Sequence, residues 1–198
     1  MPTVVHCLDS NSARVERERS YDAHIMHLRT LIERICFAGP LAIADDARVR
    51  GDENLVGSLF VFDASPTETF GLVQRDPYLA SGVWERVSVF QTIHESGPWT
   101  TGLFARPSGS LYAGLASFPT PRIASKESTL FHSELLVRHS GGGADAIPRR
   151  YVSIFTANSL SEARSTMQPD AHDRLSRIEI WALPIAVGTW TMRKLAQS

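Results

Sequence analysis

The chain has 198 residues, 43% of them apolar, enough for one large domain or two small ones with a real core. Twenty basic residues against twenty-one acidic ones leave a formal charge of -1, which argues against a nucleic-acid footprint and against attraction to an anionic membrane. No stretch approaches the roughly 20 apolar residues of a membrane span, so the expected partner is a small molecule or another protein.

The N-terminus has no basic segment and meets Asp9 before any signal-length apolar run. Cys7 and Cys36 have neither CxxC spacing nor a companion histidine cluster, so they read as buried thiols. A reducing, cytoplasmic setting is expected.

Residues 3–8 (TVVHCL) form an apolar run suited to a strand, and the polar DSNSAR that follows offers capping side chains for a helix from about Ala13. Apolar residues at Tyr21, Ile25, Leu28, Leu31, Ile32 and Ile35 make the stripe of an amphipathic helix, which must end before Gly39-Pro40. Residues 35–41 read as that helix end running into a second strand, and DDARVRGDEN as a loop. Residues 57–64 (GSLFVFDA) are apolar on both alternating sets, Leu59 and Val61 against Phe60 and Phe62. Both faces of this strand therefore require cover. Ser65-Pro66 has the character of a helix start, with the helix reaching about Arg75 and stopped by Asp76-Pro77. A strand over 83–93 completes a β-α-β-β-α-β order, the ferredoxin-like α+β arrangement of one antiparallel sheet with two helices on one face.

Past Glu95 the composition shifts to Gly, Pro, Ser and Thr with short apolar runs, which predicts a boundary there and two units, 1–95 and 96–198. The run 141–143 (GGG) reads as a flexible turn without a ligand role, since no strand and helix flank it in phosphate-loop order. An internal echo lays Ser65, Glu68, Gln74, Asp76 and Glu85 on Ser159, Glu162, Gln168, Asp170 and Glu179. It predicts a strand over 151–157, a helix over 159–167 and a strand over 177–183.

At about 100° per residue, His24 falls roughly 40° from the centre of the apolar stripe and His27 roughly 100° away, so His24 is expected to point at the sheet. An imidazole on an apolar face needs a hydrogen-bond partner, and Asp76, held by Pro77, is the candidate. The plainer readings are a satisfied core histidine and an ordinary Asp-Pro turn. His24 and His27 at i, i+3 have no third ligand placed by spacing, so no metal is expected. His6, His94, His132, His139 and His172 are scattered, and no GxSxG, HExxH or dinucleotide fingerprint is present. Trp84, Trp99, Trp181 and Trp190 read as packing residues.

The run DAHIMHL around His24, AGPL at 38–41, GSLFVFDA at 57–64 and DPYLASGVWERVSV at 76–89 resembles the YciI-like (YCII-related) family over about residues 3–93. The resemblance implies a dimeric α+β barrel, in which two ferredoxin-like sheets face each other around a pocket. It also implies an active-site histidine at His24 and aspartate at Asp76, with Tyr78 in the same loop. The assigned activity type it implies is dehydrochlorination of a chlorinated hydroxyhydroquinone, acid-base work by a His/Asp pair that needs no cofactor.

The expected function is binding of a small polar or aromatic metabolite, with lyase or dehydrochlorinase-type turnover. His24 would shuttle protons, Asp76 would orient it, and Tyr78 and His27 would touch the ligand. The competing class is a non-enzymatic binding or assembly module. This chain is twice the length of a typical member. It therefore either dimerises or closes the barrel within one chain, residues 96–198 forming a degenerate second half in which Asp170 stands for Asp76 and Ala171-His172 replace Pro-Tyr.

Overall fold

Successive side chains of a strand point to opposite faces, and the first strand, β1 (Thr3–Asp9), already separates two environments: Val4 joins one apolar cluster, Val5 and Cys7 another. The computed structural model describes residues 1–48, 52–97, 99, 109–118, 128–136, 149–167, 177–184, 186 and 188. His139, the run 141–143, Gln168, Asp170, Ala171, His172 and Trp190 lie outside them.

The first helix, α1 (Ala13–Thr30), carries Tyr21, Ile25 and Leu28 on its inner side but does not extend to Ile35. A 3-10 turn over Ile32–Arg34 ends it, and Ile35 opens β2 (Ile35–Ala42), paired with Phe62 of β3 (Leu55–Phe62). The apolar run at 35–38 suits helix and strand alike, and the pairing with β3 decided the matter. Next come α2 (Pro66–Val73), with Ser65 Oγ accepting from Glu68 N–H at 3.3 Å, and the short α3 (Pro77–Ala80). Asp76-Pro77 ends one helix, as expected, and also begins another, because Asp76 serves as N-cap and Pro77 fits the first helical position. The strand β4 (Trp84–Ser96) follows.

Beyond it lie β5 (Ser110–Phe118), β6 (Thr129–Leu136), β7 (Arg149–Ala157), α4 (Leu160–Thr166) and β8 (Arg177–Leu183). The strand, helix and strand expected over 151–157, 159–167 and 177–183 are β7, α4 and β8, with Ser159 Oγ capping α4 through Glu162 N–H at 3.1 Å.

All eight strands close into one antiparallel barrel in the order β1-β3-β2-β8-β5-β7-β6-β4. The first four run β4-β1-β3-β2 and the second four β8-β5-β7-β6, the same relative order. The two sets join where β4 pairs with β6 and β2 with β8. Closure leaves no free sheet edge in the circuit, which removes the usual template for aggregation.

The barrel interior is filled from both sets: Val4, Leu59, Val61 and Phe90 meet Phe131, Leu135, Val152, Ile154 and Trp181. Outside, Phe60 and Phe62 pack with Val5, Leu28, Tyr78 and Trp84 under the first set of helices, while Tyr112 and Phe155 pack under Leu160 and Ala163 of α4. Four consecutive β3 side chains are thus buried: Leu59 (3% exposed), Phe60 (2%), Val61 (0%) and Phe62 (1%). Each contributes about 1.5–3 kcal/mol by leaving water. No helix among the described residues is long and apolar enough to cross a membrane.

Candidate functional site

His24 sits where α1 crosses the outer face of the first four strands, buried at 6% exposure. Its Nδ1 lies 2.8 Å from Asp76 Oδ1 and 3.0 Å from Oδ2. Ionised Asp76 can only accept, so the hydrogen rests on Nδ1 and Nε2 is left as the basic ring atom. Asp76 is itself fixed, because Oδ1 accepts from Tyr78 N–H at 2.9 Å as the α3 cap. One carboxylate therefore holds both the helix start and the imidazole. The plain role of Asp76 as a turn residue and its role toward His24 coexist.

The rings around His24 restrict its rotation. Tyr78 stacks on it at 3.8 Å between centroids and 8° between planes, and Trp84 meets it edge-on at 5.8 Å. Burial pushes the Tyr78 phenol up to about 12, with Arg17 opposing the shift, so Tyr78 stays protonated as a hydrogen-bond donor at neutral pH. Nearby Cys7 is likewise pushed well above the ordinary thiol range, first by burial and then by the Asp76 and Asp9 charges, which leaves it an inert thiol. Cys7 and Cys36 are both buried, and no disulfide joins them.

A cavity of about 80 Å³ lies beside the imidazole, lined by His24, Arg17, Tyr21, Tyr78, Ala38 and Gly39 among others. The small residues Ala38 and Gly39 of the AGPL run border this space. Asp76 does not line the cavity; it stands behind His24, against a filled crevice bounded by Phe60, Phe62, Val73 and Trp84.

Arg17 was not singled out from the sequence, yet it is buried at 4% exposure and borders the same cavity. It forms a two-pronged pair with Asp9, Nε to Oδ2 at 2.5 Å and Nη2 to Oδ1 at 2.8 Å, and Nη2 also donates to Gly57 O at 2.8 Å. Its guanidinium lies 5.1 Å from the Tyr78 ring centroid. The available signal was its spacing: Arg17 precedes His24 by seven residues, two helical turns, and so shares its face. Gly57 is required here, since a Cβ would come within 2.2 Å of the Cys7 carbonyl oxygen.

Of the residues expected at the site, His24, Asp76 and Tyr78 come together. His27 does not border the cavity; its Nε2 lies 3.2 Å from the Leu72 carbonyl oxygen on α2, to which the Nε2–H tautomer donates. Among the described residues no three His, Cys, Asp or Glu side chains converge as a metal shell would require.

No family model matches the chain, and no curated relative does. Among solved structures, a protein from Fusobacterium nucleatum provisionally described as a monooxygenase aligns over 94% of this chain and 93% of its own, with 4% identity and a TM-score of 0.51. Chlorite dismutase from Candidatus Nitrospira defluvii aligns over 92% and 90%, with 9% identity and a TM-score of 0.50. These two likenesses concern the fold alone, the dimeric α+β barrel. A 5-chloro-2-hydroxyhydroquinone dehydrochlorinase from Burkholderia phenoliruptrix, in complex with 2,5-dihydroxybenzoquinone, aligns over 48% of this chain and 95% of its own, at 25% identity and a TM-score of 0.43.

Proposed function

We propose that the cavity between α1 and the first four strands binds a small polar ring compound and that His24 moves a proton there, oriented by Asp76. The observation that carries this reading is the Nδ1 contact with a buried, fixed carboxylate, which leaves Nε2 as the basic atom of a ring bordering the cavity. Asp76 stabilises the imidazolium formed when Nε2 takes a proton, and Tyr78 and Arg17 supply donors to ligand oxygens. The enclosed volume of about 80 Å³ is below the ~150 Å³ that accepts a benzene ring. A ring therefore seats partly at the mouth, beside the half-buried Tyr21 and Ile25.

The reaction class that suits these groups is elimination from a chlorinated hydroxyquinol, as the YciI-like motif resemblance implies. His24 takes a hydroxyl proton, the electron pair moves through the ring as the chlorine-bearing carbon gains a proton, and loss of a second hydroxyl proton breaks the carbon–chlorine bond, so that the substrate loses one proton and one chloride overall. We further propose that residues 1–95 and 96–198 are two ferredoxin-like units, the second a degenerate repeat, forming a pseudo-dimer within one chain. The repeated strand order supports this division.

The test is chloride release from chlorinated hydroxyquinols by the purified protein. His24→Asn should lower kcat/KM by about 10²–10⁴-fold with little loss of folding. Saturable ligand binding without chloride release would replace catalysis with a non-enzymatic binding module, and absence of both would remove the reading.

A further inference from the structure

The His24 cavity lies on the outer face of the first strands; a second cavity lies inside the barrel, at one end. It measures about 150 Å³ and is lined by His6, Leu8, Arg86, Ser88, Leu115, Ser117, Arg150 and Glu179. In register, His6 faces Ser88 and Leu8 faces Arg86 across β1 and β4. Ser117 faces Arg150 across β5 and β7, and Leu115 faces Glu179 across β5 and β8. Each four-stranded set contributes half of the lining.

The polar groups here are not explained by packing. An apolar cluster fills the lumen beside it, while this end carries two guanidinium groups, an imidazole, two hydroxyls and a single carboxylate. Neither Arg86 nor Arg150 forms an ion pair among the described residues, although Arg150 lies 6.0 Å from the Phe90 ring centroid. His6 is buried at 6% exposure, and its Nε2 has no hydrogen-bond partner among the described residues. A buried ring nitrogen left unpaired costs about 1–3 kcal/mol. Exposed Arg86 stands at the rim, half-buried Arg150 deeper and His6 deepest, so the donors line a path from solvent inward.

We propose that this end of the barrel lumen is a second ligand site, one that takes a small oxyanion, a carboxylate or a phosphate, on Arg86, Arg150 and His6. Guanidinium groups bind such planar or tetrahedral oxygens through paired N–H donors, and a cavity of this size accepts a single ring or a phosphate with water. Glu179 limits the net charge of the lining to about +1 and favours small monoanions and dianions over larger polyanions. The protein by itself disfavours a charged His6: burial, then the Arg150 and Arg86 charges, push it down to about 4. A bound anion lowers the positive charge seen by the ring.

Titration calorimetry with inorganic phosphate and with acetate tests the proposal on the intact chain, the two probes distinguishing the oxyanion types and neither carrying a ring that the His24 cavity would take. At least one should bind saturably with Kd in about the millimolar range or below, and Arg150→Gln should weaken it about tenfold or more. His24→Asn, outside the barrel, should leave that binding unchanged. Side-chain NMR of His6 in the unaltered protein supplies a readout independent of any folding defect, since its titration midpoint should rise when the bound probe is present. No saturable binding of either probe, binding lost in His24→Asn but kept in Arg150→Gln, or an unmoved His6 midpoint under saturation would each overturn it.

Discussion

The two four-stranded halves of the barrel share a strand order but present different outer faces. In the first, residues 10–34 between β1 and β2 have room for the eighteen-residue α1, which brings Arg17 and His24 over small residues of β2. In the second, only residues 119–128 connect β5 and β6, too few for such a helix. At that face His132 stacks on Tyr151 at 5.6 Å, and its Nδ1 lies 2.7 Å from Ser153 Oγ. Burial pushes His132 below its ordinary value, and no carboxylate partners it among the described residues. The lesson is that a buried histidine becomes a candidate proton carrier through a fixed carboxylate behind it and space in front; His24 has both.

Separating the halves should have the largest effect. A chain ending after Ile93 lacks the strands that cover Val4, Leu59, Val61 and Phe90, so it should aggregate or pair with a second copy. A soluble, cooperatively folding monomer of residues 1–95 by size exclusion would show that the halves do not depend on each other.

Within the first half, Arg17→Ala leaves Asp9 buried without its cation and should cost about 3–5 kcal/mol in denaturant unfolding. An Arg17→Met, Asp9→Leu double variant should recover most of that loss, because it removes both charges. If the single variant costs less than the double, the pair is not a buried charge unit.

Acid should then act through His6, the histidine at the junction of the two halves. Its folded value of about 4 lies below the unfolded ~6.5, so the unfolded chain binds more protons between those values and stability falls as pH drops through that window. The contribution is about 3 kcal/mol, present above pH ~6.5 and lost toward pH ~4. Arg86, Arg150 and Glu179 are the charged groups that line the same cavity as the ring. His6→Gln should flatten the unfolding free energy between pH 7 and 4; an unchanged slope would assign acid sensitivity elsewhere.

The smallest effects sharpen the comparison of histidines. His132→Asn should cost about 1 kcal/mol through the Ser153 hydrogen bond and leave ligand binding at the His24 cavity untouched. His27→Asn, at the α1 flank, should stay within about 0.5 kcal/mol, and a binding loss comparable to that of His24→Asn would return it to the site.

Much of the first half was readable from residues alone. Helical phase separated His24 from His27, and the doubled apolar pattern at 59–62 required cover on both faces of one strand. The capping residues Ser65 and Ser159 were local signals of the same kind. One boundary was misread and one read only in part, each for a physical reason: Ile35 could continue an apolar helix stripe or open a strand, and Asp-Pro, read as a helix stop, also starts a helix. Arg17 was passed over because a charged residue near a helix start reads as surface until its carboxylate partner is known, and Asp9 lies on another element.

Local sequence thus determined β1, α1, β3, α2 and β4 and the segments β7, α4 and β8, together with the inward turn of His24, because periodicity and capping act over one or two turns. Tertiary structure alone decided that eight strands close into one barrel, that Arg17 is buried against Asp9, and that His6, Arg86 and Arg150 share a cavity. Those outcomes depend on strand pairings between residues far apart in the chain, such as Gln91 with Leu136 and Ala42 with Ala182, which no local pattern encodes.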